Sequence, residues 1–312
     1  MKSLKILVAL GGNAILQRHG KGTAEEQFAS VRGACAHLVK IIQQGHKVAI
    51  THGNGPQVGD ILLKDELARD TLPPMPLDVC GAESQGMIGY MIQQSLRNEL
   101  SRVGIELEVA TVLTETVVDG SDPAFKNPTK PIGPFYTASE AAKLKNEKGW
   151  HLVNDSGRGF RRTVPSPNPL SIVQGDLIRE LMDMGVIVIA AGGGGVPVTE
   201  GGRSRGFEAV IDKDLAAAVL GRSVNADVLL ILTDVENVFL DYAKPSQRAI
   251  DRMTVRECKR YLAQGQFPAG SMGPKMESAI RFLDSGGERV IVTSLESADR
   301  ALAGKAGTSI AG

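Results

Sequence analysis

The sequence predicts an α/β protein built on a mostly parallel sheet with helices on both faces. Strand-like and helix-like stretches alternate along the chain, as such sheets require. Most strand candidates are near-continuous runs of β-branched residues and leucine, the pattern of strands covered on both faces. Glycine-rich turns follow several of these runs, at strand carboxyl ends, where ligands bind in such sheets.

The strand candidates are Ile6–Leu10, Lys47–Thr51 and Glu106–Val112 in the first half, and Val186–Ala190, Val228–Leu232 and Arg289–Thr293 in the second. Thr23 with Glu26 forms a capping-box pattern, so a helix should start there and run to Gly45 as its C′ residue. Thr137 with Glu140 and Thr254 with Glu257 repeat the signal. A helix near 171–184 should stop at Gly185, and another should run from Pro274 to Gly286 or Gly287. The apolar spacing over Glu83–Gln94 fits a core helix and a helix at a subunit contact equally.

Residues 119–169 break the rhythm. They hold Pro123, Pro128, Pro131, Pro134, Pro165, Pro167 and Pro169, too long a stretch for a plain connection. It reads as an inserted subdomain or lid with a short helix, and Phe125, Phe135, Tyr136, Trp150 and Phe160 could form its small core.

The bulk numbers exclude several function classes. The 312 residues carry zero formal net charge, which gives no bulk attraction to nucleic acid or an acidic membrane. Aromatics make up only 4 %, too few for base-stacking platforms. Cys35, Cys80 and Cys258 are scattered and the five histidines show no ligand spacing, so free thiols and no structural zinc are expected. The first apolar run is too short for a signal peptide, and no stretch approaches a membrane span. A cytoplasmic protein is the expectation.

Six stretches could carry chemistry. In LGGNA, Gly11 and Gly12 could present backbone N–H groups to an anion, with Asn13 reaching a substrate oxygen; an ordinary strand–helix turn fits as well. In THGNGPQVG, Gly53 and Gly55 allow close backbone approach and Asn54 can donate, while His52 reads better as a satisfied core histidine than as a base. In AAGGGGVPV, four glycines could let a ligand lie on bare main chain. The dinucleotide fingerprint G-x-G-x-x-G fails there, because its third glycine falls on Pro197 or Val198. In VIDKD, Asp212 suits a helix cap, but Lys213 opposes the helix dipole unless an anion lies nearby. Lys275 in GSMGPKM repeats that placement, and a surface lysine on an amphipathic helix is the plainer alternative. ILTDVENVF, with Asp241 and Tyr242 beyond it, offers weakly specific contacts to a base or ribose.

Together these motifs, with CGAESQGMIGY (80–90), NPTKPIGPFY (127–136) and RRTVPSPNP (161–169), resemble the amino acid kinase superfamily over essentially the whole chain. NPTKPIGP points to its carbamate kinase branch. Related acid kinases carry a lysine two places before the glycine pair; here Ala9 stands there, and Lys130 of the insert resembles the replacement.

The resemblance implies a three-layer αβα sandwich with an open, mostly parallel sheet and a small inserted subdomain. It implies one domain over 1–312, with a carbamate-binding lobe at 1–185 that includes the lid at 119–169, and a nucleotide-binding lobe at 186–312. It implies Mg2+ with ATP or ADP, carbamate or carbamoyl phosphate as the other substrate, a role in arginine breakdown, and a homodimer. No protein ligand for the metal is assigned. Lys130, Lys213, Asp214 and Lys275 would be catalytic; Gly11, Gly12, Asn13, Gly53 and Asn54 would hold carbamate. Gly193, Gly194, Thr233, Asp234, Val235, Tyr242, Met272, Gly273 and Lys275 would bind the nucleotide. The sequence leaves open another acid kinase of the same fold, or a non-catalytic nucleotide-binding regulator.

Overall fold

A computed structural model describes residues 3–16, 22–155, 157, 159–200, 204–268 and 270–312, and of Asn13 the backbone only. In chain order, the first half contributes β1 (Lys5–Leu10), α1 (Ala24–Ile42), β2 (Lys47–His52), α2 (Gly55–Ala68), α3 (Leu77–Arg102), β3 (Val109–Thr111) and β4 (Glu115–Val118). Next come β5 (Lys130–Tyr136), α4 (Ala138–Lys148), β6 (Leu152–Asn154), β7 (Phe160–Val164), β8 (Pro169–Ile172) and α5 (Gly175–Asp183). The rest holds β9 (Ile187–Ile189), β10 (Val196–Thr199), β11 (Arg205–Gly206), α6 (Lys213–Ser223), β12 (Val228–Thr233), β13 (Val238–Leu240), β14 (Arg248–Ile250) and β15 (Arg252–Thr254). The chain closes with α7 (Val255–Ala263), α8 (Met272–Asp284), β16 (Arg289–Ser294), α9 (Ala298–Leu302) and β17 (Thr308–Ala311).

The main sheet has the order β15-β17-β16-β12-β1-β2-β9-β3, and within it only β16 and β17 run antiparallel to each other. β1 lies at its centre and shows why both faces are covered. Ile6, Val8 and Leu10 point into one apolar cluster, with α1 and α3. Leu7 and Ala9 point into the other, with α5, α6 and α8. Burying each large aliphatic side chain contributes about 1.5–3 kcal/mol, so this alternation binds three layers together. The expected αβα sandwich is what forms. β9 sits between β2 and β3, among strands from the first half of the chain.

All three capping boxes form, at Thr23, Thr137 and Thr254, each with the hydroxyl accepting from the N3 amide and the N3 glutamate accepting from the cap amide. Several boundaries differ from expectation. α1 ends at Ile42, ahead of Gly45, which takes the left-handed conformation at φ +79°. The strand expected at 106–112 shrinks to β3. The helix expected from 171 begins at Gly175, because Pro169–Ile172 pairs with β4 as a strand. α8 begins at Met272, two residues before Pro274. The Glu83–Gln94 stretch lies within α3, whose Ile88, Met91 and Ile92 enter the core while Tyr90 is exposed.

The insert carries its own antiparallel sheet, β5-β7-β6, with α4 beside it. Its core is smaller than its aromatics suggest. Tyr136 and Trp150 meet at 6.4 Å between ring centroids, but Phe125 packs on Phe207, outside the insert. A separate four-stranded sheet, β11-β10-β4-β8, had no local signature. Among the described residues, no helix is long and apolar enough to cross a membrane.

Candidate active site

The site forms where the carboxyl ends of β1, β2 and β12 meet the N-termini of α2, α6 and α8. β1 and β12 are adjacent parallel strands, so their ends arrive together. A Cβ on Gly11 would stand 3.0 Å from the Leu232 carbonyl oxygen, so this crossing admits only glycine without displacement. Gly53 N–H donates to the Leu10 carbonyl (3.3 Å) and packs on Gly12; a Cβ there would lie 3.6 Å from Gly12 N and 3.7 Å from Lys213 Cδ. Gly11, Gly12 and Gly53 thus line one cradle with Lys213 at its wall. The Asn13 side chain lies outside the described residues.

Asn54 caps α2 without a side-chain cap bond. Its amide donates instead to Ser84 Oγ at 2.8 Å and lies under Gly193. Its contact is therefore with α3 and the glycine loop. The first turn of α2 adds its backbone dipole to the cradle.

The loop at 192–195 reveals a different use of glycine. A Cβ at Gly192 would meet His52, at Gly193 Asn54, at Gly194 the Ile211 carbonyl, and at Gly195 Thr116, all between 2.1 and 2.6 Å. All four glycines are needed for protein-to-protein approach, which braces the cradle from behind. His52 is buried, with Nδ1 3.0 Å from the Gly53 carbonyl oxygen. Burial pulls its pKa down to about 4, so the ring is neutral at physiological pH and too weakly basic to hold a proton there.

The charges gather at α6. Asp212 caps the helix, its Oδ1 accepting from the amides of Asp214 (2.9 Å) and Leu215 (3.4 Å). Its other oxygen holds Lys130 Nζ at 2.6 Å. Asp214 is 4 % exposed and receives two ammonium groups, Lys213 at 2.5 Å and Lys275 at 3.1 Å, on separate oxygens. Ser278 Oγ, one turn after Lys275, donates to the Asp214 carbonyl at 2.5 Å and docks α8 against α6. Burial alone would raise the Asp214 pKa, but the two ammoniums hold it at about 2. Burial lowers the Lys213 pKa, offset in part by Asp214. Three lysines against two aspartates leave a net positive charge.

Beside them is a cavity of about 500 Å3, lined by Thr233, Asp234, Val235, Tyr242, Met272 and Lys275 with Phe239, Phe267, Pro268 and Ser271. A second space, of about 260 Å3, joins Gly11 and Ala14 to the same Thr233 and Asp234. The two share Thr233 and Asp234 as lining, so they adjoin between cradle and apolar pocket. Gly193 and Gly194 line neither, and Gly273 packs against the Pro268 carbonyl oxygen. Phe267 and Pro268, just before GSMGPKM, and Ser271 within it carry no local signal of a pocket, and Asp212 reads in the sequence only as a cap. Among the described residues, no three histidine, cysteine or acidic side chains gather as a metal site.

The Amino acid kinase family model matches residues 5–294. Carbamate kinase from Pyrococcus horikoshii is 53 % identical, covering 98 % of this chain and 98 % of that one. Carbamate kinase from Clostridium perfringens is 48 % identical over 98 % of this chain and 99 % of its own. Among solved structures, carbamate kinase from Giardia lamblia bound to AMP-PNP superposes with a TM-score of 0.93 at 45 % identity, covering 99 % of this chain and 98 % of that chain.

Proposed function

The chain belongs to the amino acid kinase family and, within it, to the carbamate kinases, and from that premise we propose how its residues move a phosphoryl group between ATP and carbamate. The observation that carries the reading is Asp214 holding two ammonium groups between a glycine cradle and an apolar pocket.

Carbamate is anionic at neutral pH, so its oxygen attacks the γ-phosphorus without first losing a proton. The new P–O bond forms as the bond to the β,γ-bridging oxygen breaks, and ADP leaves with that electron pair. No general base is needed, which suits a neutral, buried His52. The demand is instead to bring two anions together and to stabilise charge spread over the moving group.

In this reading the backbone of Gly11, Gly12 and Gly53 holds carbamate with the first turn of α2. Lys213 bridges the transferring group, Lys275 meets the outer phosphates, and Lys130 covers carbamate and the γ-phosphate. Asp214 orients Lys213 and Lys275 and keeps both charged. The base lies among Phe239, Tyr242, Phe267 and Met272. Mg2+ would travel with the nucleotide, its ligands chiefly phosphate oxygens, consistent with a site rich in ammonium groups. A homodimer working in the cell interior completes the proposal, and sedimentation velocity decides the dimer.

The test is ATP formation from ADP and carbamoyl phosphate with magnesium. ATP should appear with carbamoyl phosphate; ATP formed only with acetyl phosphate would mean a different acid kinase, and no ATP from either would leave a non-catalytic nucleotide binder.

The insert is proposed to close over the substrates and exclude water from a labile acyl phosphate. Limited proteolysis should then show 119–169 cleaved in the free protein and protected with both substrates. Unchanged cleavage would count against closure.

A further inference from the structure

Lys130 and the cradle belong to different parts of the chain, so something must set the distance between them. The structure shows one tight point of contact. A Cβ on Gly59, in the second turn of α2, would stand 2.5 Å from Gly133 Cα and 2.8 Å from Gly133 N. That is far inside the separation at which non-bonded carbons rest. The obstacle is backbone, which cannot swing aside as a side chain could. Gly133 itself has φ +72°, a conformation that favours glycine. α2 and β5 therefore touch main chain to main chain, three residues along β5 from Lys130.

Apolar packing fixes the same point. Ile132 and Val164 of the insert form one cluster with Val58 and Ile61 of α2, Leu77 and Cys80 of α3, and Val210, two residues before Asp212. Lys130 pairs with Val164 in the β5–β7 ladder. The Val210 amide donates to the Pro165 carbonyl at 3.0 Å. A cavity of about 680 Å3 opens beside this contact, lined by Gly59 and Gly133 themselves and by Leu62, Tyr136, Trp150 and Arg162 among others. Lys148 bridges its far side to Glu66. The insert thus meets α2 at a main-chain contact and an apolar cluster near Lys130, and again through Lys148, with the cavity between them.

We propose that Gly59 is a positioning residue: its contact with Gly133 seats β5 on the helix whose first turn faces the cradle, and so sets where Lys130 stands relative to the bound substrate. The inference rests on the role given to Lys130 above. A methyl group at Gly59 would lift β5 away from α2 and move Lys130 off its station, whereas the distal insert would keep its fold.

The experiment is a double-mutant cycle with Gly59→Ala and Lys130→Ala in the full chain. Misplacing a charged group by about 1 Å can cost up to about 10²-fold. Gly59→Ala should raise KM for carbamoyl phosphate about tenfold, with ADP affinity and the far-ultraviolet circular dichroism unchanged. Alanine is the better helix former, so a weakened α2 would not account for such a loss. Lys130→Ala should raise the same KM at least as much, and Gly59→Ala should add nothing in that background. Additive effects, or a normal KM in Gly59→Ala beside a large loss in Lys130→Ala, would overturn the inference alone. A normal KM in Lys130→Ala would remove the assigned role of Lys130 and the inference with it. Should Gly59→Ala not fold, Gly133→Ala replaces it in the same cycle under the same criteria. Its methyl meets no atom within 4 Å, but its positive φ forces β5 onto another path.

Discussion

Lys213→Ala should lower kcat by about 10²–10³ while ADP affinity stays within a few-fold of the parent, since removing one preorganised charge donor typically costs that much. The geometry explains the asymmetry. Lys213 lies against the cradle glycines, with Cδ 3.7 Å from the position of a Cβ on Gly53. The apolar pocket proposed to hold the base is lined by Lys275, but not by Lys213. On the proposed mechanism its charge therefore acts where the phosphoryl group moves and less where the nucleotide is anchored. Lys213→Arg separates charge from shape. A guanidinium keeps the charge but replaces a compact ammonium with a planar fork, in a space closed by Asp214 at 2.5 Å. It should recover only part of the loss. Burial lowers the Lys213 pKa, so the alkaline fall of kcat should begin below the ordinary lysine range and move to higher pH in Lys213→Arg. Normal turnover in Lys213→Ala would remove this lysine from the mechanism.

The parts of the molecule legible in the sequence are those whose causes are local. Ile6–Leu10 had to be a strand buried on both sides, because apolar residues occupy both of its faces. The capping boxes at Thr23, Thr137 and Thr254 could be recognised because both halves of each lie three residues apart. The start of α5 was misplaced because Pro169–Ile172 becomes a strand only by pairing with β4, some fifty residues earlier. The site divides in the same way. Lys213 and Lys275 stood out because a cation near a helix start calls for an anion. Nothing local announces that Asp212 receives Lys130 from 82 residues away, or that Gly59 meets Gly133. The glycine loop at 192–195 is the instructive case. Four glycines in a row suggest a ligand on bare backbone, yet each lies against a protein atom. Composition reveals that something approaches closely, and only the fold tells what.

Asp214→Asn should be the most destabilising conservative change at the site. The carboxylate is 4 % exposed and balances two ammonium groups at once. An amide of nearly the same shape can accept a hydrogen bond but leaves both charges without a counter-ion. Breaking a buried pair in this way costs about 3–5 kcal/mol, mostly from the uncompensated charge. Urea unfolding at neutral pH should show a loss of that order, and turnover should fall as well, because Lys213 and Lys275 lose the carboxylate that orients both. The pH dependence separates this charge effect from a packing defect. The folded-state pKa of Asp214 is depressed from 3.8 to about 2. Its contribution is therefore fully present above the ordinary carboxylate pKa and is lost as pH falls through the folded value. The stability gap between the parent and Asp214→Asn should hold constant above about pH 5 and narrow between about pH 4 and 2. A gap that stays the same across that interval would mean that the asparagine acts through packing alone, and the charge-balancing role of Asp214 would be wrong.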